Sequence, residues 1–265
     1  MSGPRHGHLY AGGIGQPRTG WGRAGETWAF LDTLRRAGGP TWFRIGDQDL
    51  QHHMERTARL QRGETLTQVT RSLAARLGAR AAILPMTDDP VRTMVLTEEG
   101  DLAFQNYFVE RGCAPRVLGF RFDGGSSARP APGFLEALQQ ADVVVLCPSN
   151  PWVSLDPILS VRGVREALHG RHVVGVSPIV RGAALKGPAA KMYAELGQAP
   201  SALAVAKHFR EILGAMIIDE QDADLAAGIE ALGIAVRPAP TIMHSRADRR
   251  RLAGEVLAFA AQVQA

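Results

Sequence analysis

The chain has 265 residues, of which 45% are hydrophobic and 21% charged, and a formal net charge of +4. That is a globular composition, with room for one large α/β domain or a main domain and a smaller companion. Arginine dominates the basic set, because Lys186, Lys191 and Lys207 are the lysines among 30 basic residues, yet these are spread along the chain with few runs. This argues against a nucleic-acid partner and for an anionic small molecule.

Cys113 and Cys147 are too few for a disulfide framework and lack metal-ligand spacing. The first ten residues carry no apolar core of a signal peptide, and no run of 18 apolar residues occurs. The expected setting is soluble and cytoplasmic, with no membrane partner.

In chain order, "GETWAFLDTLRRAGG" (25–39), "DQDLQHHMERTARLQRG" (47–63) and "TLTQVTRSLAARLG" (65–78) carry helical spacing, the first stopping at paired glycines. The period then changes. "ARAAILPM" (79–86), "VRTMVLTEEG" (91–100) and "DLAFQNYFVE" (101–110) are expected strands, the last two forming a hairpin that turns at Glu98–Asp101. From Pro132 onward, strands and helices alternate. "DVVVLC" (142–147), "HVVGVSP" (172–178), "AMIID" (215–219) and "IAVRP" (234–238) are the strands, the first two expected to be buried on both faces. Helices are expected at "PGFLEALQQA", "VRGVREALHG", "PAAKMYAELG", "SALAVAKHFREILG", "DADLAAGIEALG" and "RADRRRLAGEVLAFAAQV". Successive βα units imply an α/β fold: a mostly parallel, doubly wound sheet with helices on both faces. A helical and hairpin part (20–130) holds a smaller mixed α+β subdomain, and 131–265 forms the βα core of a single domain.

Ligands of such sheets bind at the carboxyl ends of strands. The loop "CPSNPWVSLDP" (147–157) follows a strand that Pro148 and Pro151 terminate, leaving the Ser149 hydroxyl and the Asn150 amide for a phosphate or a nucleobase edge. A rigid turn with a self-bonded Asn is the structural alternative. "SPIVRGAALKGPAAKM" (177–192) offers Ser177 and Lys186 just before a helix start. In "PMTDDPVRT" (85–93), Asp88 and Asp89 with Arg92 form either a charged corner or a plain turn. In "FRIGDQDL" (43–50), Asp47 suits helix capping, whereas capping does not explain Arg44 at the end of a short aromatic-flanked strand. No H-E-x-x-H or G-x-S-x-G occurs.

Together, "TGWGRAGETWAF", "RIGDQDL", "PMTDDPVRTMVLT", "FQNYFV", "CPSNPWVSLDPIL", "VVGVSPIVRGAALKGPAAKM" and "SALAVAKHF" closely resemble the 2-phospho-L-lactate transferase family. Its actinobacterial relatives are called phosphoenolpyruvate transferases. The resemblance runs in order from about Tyr10 to the C-terminus. It implies a Rossmann-like core, a homodimer, Mg2+ as cofactor, and a role in making the deazaflavin coenzyme F-420. The implied substrates are a guanosine-diphosphate-linked phospholactate or phosphoenolpyruvate and the deazaflavin Fo, with GMP released.

Carried over, Arg44 matches the family's basic residue implicated in holding Fo, and Thr87, Asp88, Asp89 and Arg92 match its "M-S/T-D-D-P" segment. Ser149, Asn150 and Pro151 match the loop at the donor's guanosine diphosphate, with Ser177 and Lys186 as further donor candidates. Gln48 departs from the Arg or Lys usual at its position.

The family's opening Gly-Gly-x-Gly-Gly-x-K loop, its "N-T-G/A-D/E-D" motif and its "S-P-D-x-D-T" segment have no counterpart here. With them go the metal-holding aspartates, so no metal ligand or catalytic residue is assigned. Gly12, Gly13 and Gly15 lack the preceding strand of a phosphate loop and read as a connection into "TGWG". The expected activity is phospholactyl or phosphoenolpyruvyl transfer to Fo, by a chain that begins late relative to the family. The alternative is a catalytically inert relative that binds nucleotide or Fo. A Rossmann dehydrogenase is a third reading, against which the missing glycine fingerprint speaks.

Overall fold

The computed structural model describes residues 24–263. Gly12, Gly13 and Gly15 therefore lie outside the described residues.

The described residues open with three helices, α1 (Ala29–Arg36), α2 (Asp47–Gln61) and α3 (Leu66–Arg76). The first two cap each other. Asp47 does not cap its own helix. Its carboxylate accepts from the Ala29 and Phe30 N–H groups at the start of α1, both at 2.9 Å, and from the Thr27 hydroxyl. Glu26 in turn accepts from Gln48 N at 2.7 Å and Asp49 N at 3.1 Å at the start of α2. Four N–H groups without helical partners are thereby satisfied. Gly46 is required between them, since a Cβ there would sit 1.8 Å from Glu26 Cγ.

At α3, Thr65 and Gln68 form a reciprocal capping box, Thr65 Oγ1 accepting from Gln68 N and Gln68 Oε1 from Thr65 N. Thr65→Ala should lower stability by about 1 kcal/mol, which a shift of the urea midpoint at constant slope would report.

Three antiparallel strands follow in the order β2-β1-β3: β1 (Arg92–Thr97), β2 (Gly100–Ala103) and β3 (Val117–Asp123). The expected hairpin is present, pairing Thr97 with Gly100. Its second strand is shorter than expected because Asn106–Glu110 winds into a π-helical turn. This turn stacks Phe108 on Phe104 at 5.4 Å and buries Tyr107 completely. The expected strand over 79–86 does not form. Among the described residues this stretch finds no strand to pair with, and only Thr87 makes an isolated bridge, to Pro130.

The second half builds a four-stranded parallel sheet in the order β4-β5-β8-β9: β4 (Val144–Leu146), β5 (Val173–Val176), β8 (Ala215–Asp219) and β9 (Ala235–Ala239). Between them run α4 (Phe134–Gln140), α5 (Asp156–Leu159), α6 (Val164–Leu168), the hairpin β6 (Ile179–Val180) and β7 (Ala183–Ala184), α7 (Ala189–Glu195), α8 (Ala202–His208) and α9 (Ala226–Glu230). The last helix is α10 (Arg246–Val263).

Alternate strand residues face opposite sides. Val174, Val176, Ala215 and Ile217 pack under Leu252, Val256, Phe259 and Ala260 of α10. Val173, Met216 and Ile218 join the larger core with Tyr193, Val205, Phe209 and Ile229. The expected α/β architecture, a parallel sheet with helices on both faces, is thus present. β4 is half-buried rather than buried on both faces, because among the described strands it pairs with β5 alone.

The two sheets are joined by aromatic stacking and one lysine. Phe120 of β3 stacks on Trp152 at 5.6 Å. Lys191 of α7 pairs with Glu195 at 2.6 Å and donates to the Pro115 carbonyl at 3.1 Å, while Glu195 accepts from Val117 N. Lys191 is therefore a strut between α7 and the small sheet.

Candidate functional site

The carboxyl ends of β4, β5, β8 and β9 converge on one edge of the parallel sheet. After β4 the chain runs through Cys147, which is exposed, and Pro148 to Ser149 and Asn150, both half-buried. The Asn150 side chain closes the turn. Its Oδ1 accepts from Trp152 N at 3.1 Å and Val153 N at 3.4 Å, and its Nδ2 donates to Met192 Sδ at 3.2 Å. Pro151, which is buried, opens the π-helical turn Pro151–Leu155. The amide is engaged within the fold, whereas Ser149 lines a narrow cleft beside it.

Beneath the turn lies a polar pair inside an aromatic cage. His208 Nε2 lies 2.9 Å from an Asp156 oxygen. Trp152 packs edge-on against His208 at 5.6 Å and, tilted, against Tyr193 at 4.3 Å. The Tyr193 hydroxyl is buried with no hydrogen-bond partner. Burial, with the Asp156 charge second, pushes that phenol well above its ordinary value.

After β5, Ser177 is 2% exposed; its Oγ donates to the Ile179 carbonyl and accepts from Ile179 N. It therefore shapes the entry to the β6–β7 hairpin. The hairpin's tip is pinned from across the sheet edge, where both Asp222 oxygens accept from Arg181 N at 3.0 Å. Lys186 stands exposed two residues past β7. Ser149 and Pro178 line the same narrow cleft, so the loops after β4 and β5 are neighbours.

At the end of β8, Asp219 is 1% exposed and accepts four hydrogen bonds. These come from Thr241 N and Oγ1, at 2.9 Å each, and from Gln221 N and Nε2, at 3.1 and 3.0 Å. Burial alone would raise this carboxyl; the donors from Thr241 and Gln221 outweigh it and hold the group below its ordinary value. The strand-end rule that singled out the loops after β4 and β5 applies equally to Asp219, which sequence reasoning passed over.

The second candidate cluster lies where α3, β1 and the Arg129–Pro130 segment meet. Thr87 Oγ1 donates to the Arg129 carbonyl at 2.5 Å and accepts from Asp89 N. Asp88 Oδ1 accepts from Thr67 N at 2.6 Å in the first turn of α3, and Asp89 Oδ2 accepts from Arg129 N at 2.8 Å. Each carboxylate thus has one oxygen engaged by backbone, and Arg92 is exposed on β1. Arg44 sits apart, in an irregular segment rather than the expected strand, with its guanidinium 5.2 Å over the Trp28 ring. Thr87, Asp88 and Asp89 are brought together, as are the loops of Ser149, Asn150 and Ser177, while Arg44 and Lys186 extend from separate loops.

Among the described residues no three His, Cys, Asp or Glu side chains converge as a metal cage. The described residues do not by themselves fit a magnesium site. No described helix is long and apolar enough to cross a membrane.

Comparison with known proteins agrees with this architecture. A solved structure from Bacillus halodurans, protein BH3568, matches 96% of this chain and 83% of its own with a TM-score of 0.61 at 13% identity, a likeness of fold. The phosphoenolpyruvate transferase of Kitasatospora aureofaciens is 40% identical over 265 residues, covering 97% of this chain and 82% of that protein. The 2-phospho-L-lactate transferase of Methanosarcina acetivorans is 37% identical over 233 residues, covering 88% and 76%. The family model for 2-phospho-L-lactate transferase CofD matches residues 26–237. This chain belongs to the CofD family of 2-phospho-L-lactate transferases.

Proposed function

We propose that this chain transfers a phospholactyl or phosphoenolpyruvyl group from a guanosine-diphosphate-linked donor to the hydroxyl of Fo, in coenzyme F-420 biosynthesis. The observation that carries the reading is the family match across residues 26–237, which spans both candidate clusters. The Fo hydroxyl oxygen attacks the phosphorus that bears the three-carbon acid. The new O–P bond forms as the P–O bond to GMP breaks, and the hydroxyl proton is lost. Little of this needs covalent help from the protein, so positioning and charge neutralisation supply the catalysis.

The donor is assigned to the sheet edge, near Ser149, Asn150, Pro151, Ser177 and Lys186. Fo is assigned to the side of Arg44, Thr87, Asp88, Asp89 and Arg92. A cytoplasmic homodimer belongs to the same reading.

The test is incubation of the 265-residue chain with Fo, donor and magnesium, followed by chromatography for GMP and the phosphodiester product. Their formation in equal amounts is expected. The second reading, an inert binder, draws on the lack of a metal cage among the described residues; guanosine diphosphate binding without turnover would establish it. Asn150→Ala should release the Trp152 and Val153 N–H groups and let the β4 loop shift. An ångström of misplacement is worth on the order of 10²-fold in rate, to be read as kcat/KM for the donor.

A further inference from the structure

The β6–β7 hairpin carries a residue that its own geometry disfavours. Ile179 pairs with Ala184 and Val180 with Ala183, so the loop consists of Arg181 and Gly182 alone. Both have positive φ, 48° and 72°. Two-residue hairpin loops with positive φ at both positions are of type I′, which favours Asn, Asp or Gly at the first position because a Cβ with a long side chain crowds the left-handed region. Here that position is arginine. The strain is held in place from outside the hairpin by the Asp222 carboxylate, 6% exposed, on the Arg181 N–H.

The guanidinium does nothing for the fold in return. Arg181 is exposed, and its side chain makes no hydrogen bond, ion pair or ring contact with any described residue. It stands at the tip of the hairpin that leaves the carboxyl end of β5, whose base at Pro178 shares a cleft with Ser149, at the edge where sheets of this kind take their ligands. Backbone strain retained at a ligand edge, with a free planar cation at its tip, is the pattern of a group kept for binding.

We propose that Arg181 is a donor-binding residue whose guanidinium takes the diphosphate of a bound nucleoside diphosphate by paired charge-assisted hydrogen bonds. The proposal rests on the reading of the sheet edge as the donor site. It assigns the anion contact to the strained hairpin tip rather than to Lys186, which follows the hairpin two residues past β7.

The test uses the 265-residue chain and Arg181→Asn, with guanosine diphosphate and inorganic pyrophosphate as calorimetric probes and no Fo present. Asparagine suits the turn, so Tm should rise in the variant while affinity for both probes falls about ten-fold or more, or about 1.4 kcal/mol per ten-fold. The affinity should also become less sensitive to salt. A variant that only lost structure would show a lower Tm, so the opposite movement of stability and affinity is the signature of the role. Equal affinity of parent and variant overturns it, and loss for guanosine diphosphate but not pyrophosphate overturns the phosphate contact. If the parent binds both probes with the expected loss in the variant yet never transfers to Fo, the transferase reading falls while Arg181 stands. If the parent binds neither probe, both fall.

Discussion

Trp152→Ala should destabilise the chain by about 3–5 kcal/mol, the range for removing a large aromatic from a packed core. The ring is 7% exposed and lies between Phe120 at 5.6 Å and Tyr193 at 4.3 Å, with His208 edge-on at 5.6 Å. It is also the ring through which the antiparallel sheet stacks on the parallel core, so the cavity would open at a joint between two units. Urea unfolding followed by far-UV circular dichroism measures the loss. Trp152→Phe keeps part of the stack and should recover about half of it. A loss under about 1 kcal/mol for the alanine variant would show that the joint closes over the gap and that the stack is dispensable.

Asp219→Ala is expected to cost a similar amount, about 3–5 kcal/mol, for a different reason. Four donors from Thr241 and Gln221 would lose their acceptor, and the Thr241 groups are buried. Buried donors left without partners bear their full desolvation penalty. The same carboxylate predicts acid sensitivity. Its folded pKa lies below the unfolded value of 3.8, so its contribution is present above that pH and drains away as pH falls through the lower folded value. In Asp219→Asn this part of the acid dependence should vanish, which a comparison of urea midpoints at pH 6 and about pH 3 would reveal. An unchanged difference between the two pH values would remove Asp219 from the account.

Much of the parallel sheet was legible because burial on both faces leaves an unmistakable apolar run. "AMIID" is β8 to the residue, and "RADRRRLAGEVLAFAAQV" is α10 to the residue. The misses cluster where tertiary partners decide the outcome. "ARAAILPM" has strand composition but finds no strand to pair with among the described residues. "FQNYFV" is rich in aromatics that suit a strand, yet Phe104 and Phe108 stand four apart, and their stacking favours a helical turn. β3 has the alternation of a strand in "VLGFRFD", but the glycine-bearing stretches on either side hide it in the sequence.

For the candidate site, residue types and strand-end positions could be read from the sequence, but the engagement of each side chain could not. Asn150 and Ser177 were in view as polar groups at a ligand edge, while their bonds to Trp152, Val153 and Ile179 are local turn chemistry. Asp47 read as a helix cap, and it is one, though for α1 rather than α2. Its target depends on Gly46 letting two helix starts approach, which no local spacing encodes. Arg181 had no signal until the hairpin register placed it in a two-residue loop.

The packing of α10 has a consequence for the order of events on the ribosome. One whole face of the parallel sheet, from Val174 to Ile217, is covered by residues 252–260, and His172 bonds to the Ala260 carbonyl 88 positions downstream. During synthesis the strands emerge first and stay bare on that side until their cover is released from the exit tunnel. At about 5–20 residues per second, the gap between Val176 and Ala260 lasts on the order of several seconds. Over that window, chaperones that shield apolar strands would have their best claim on the nascent chain.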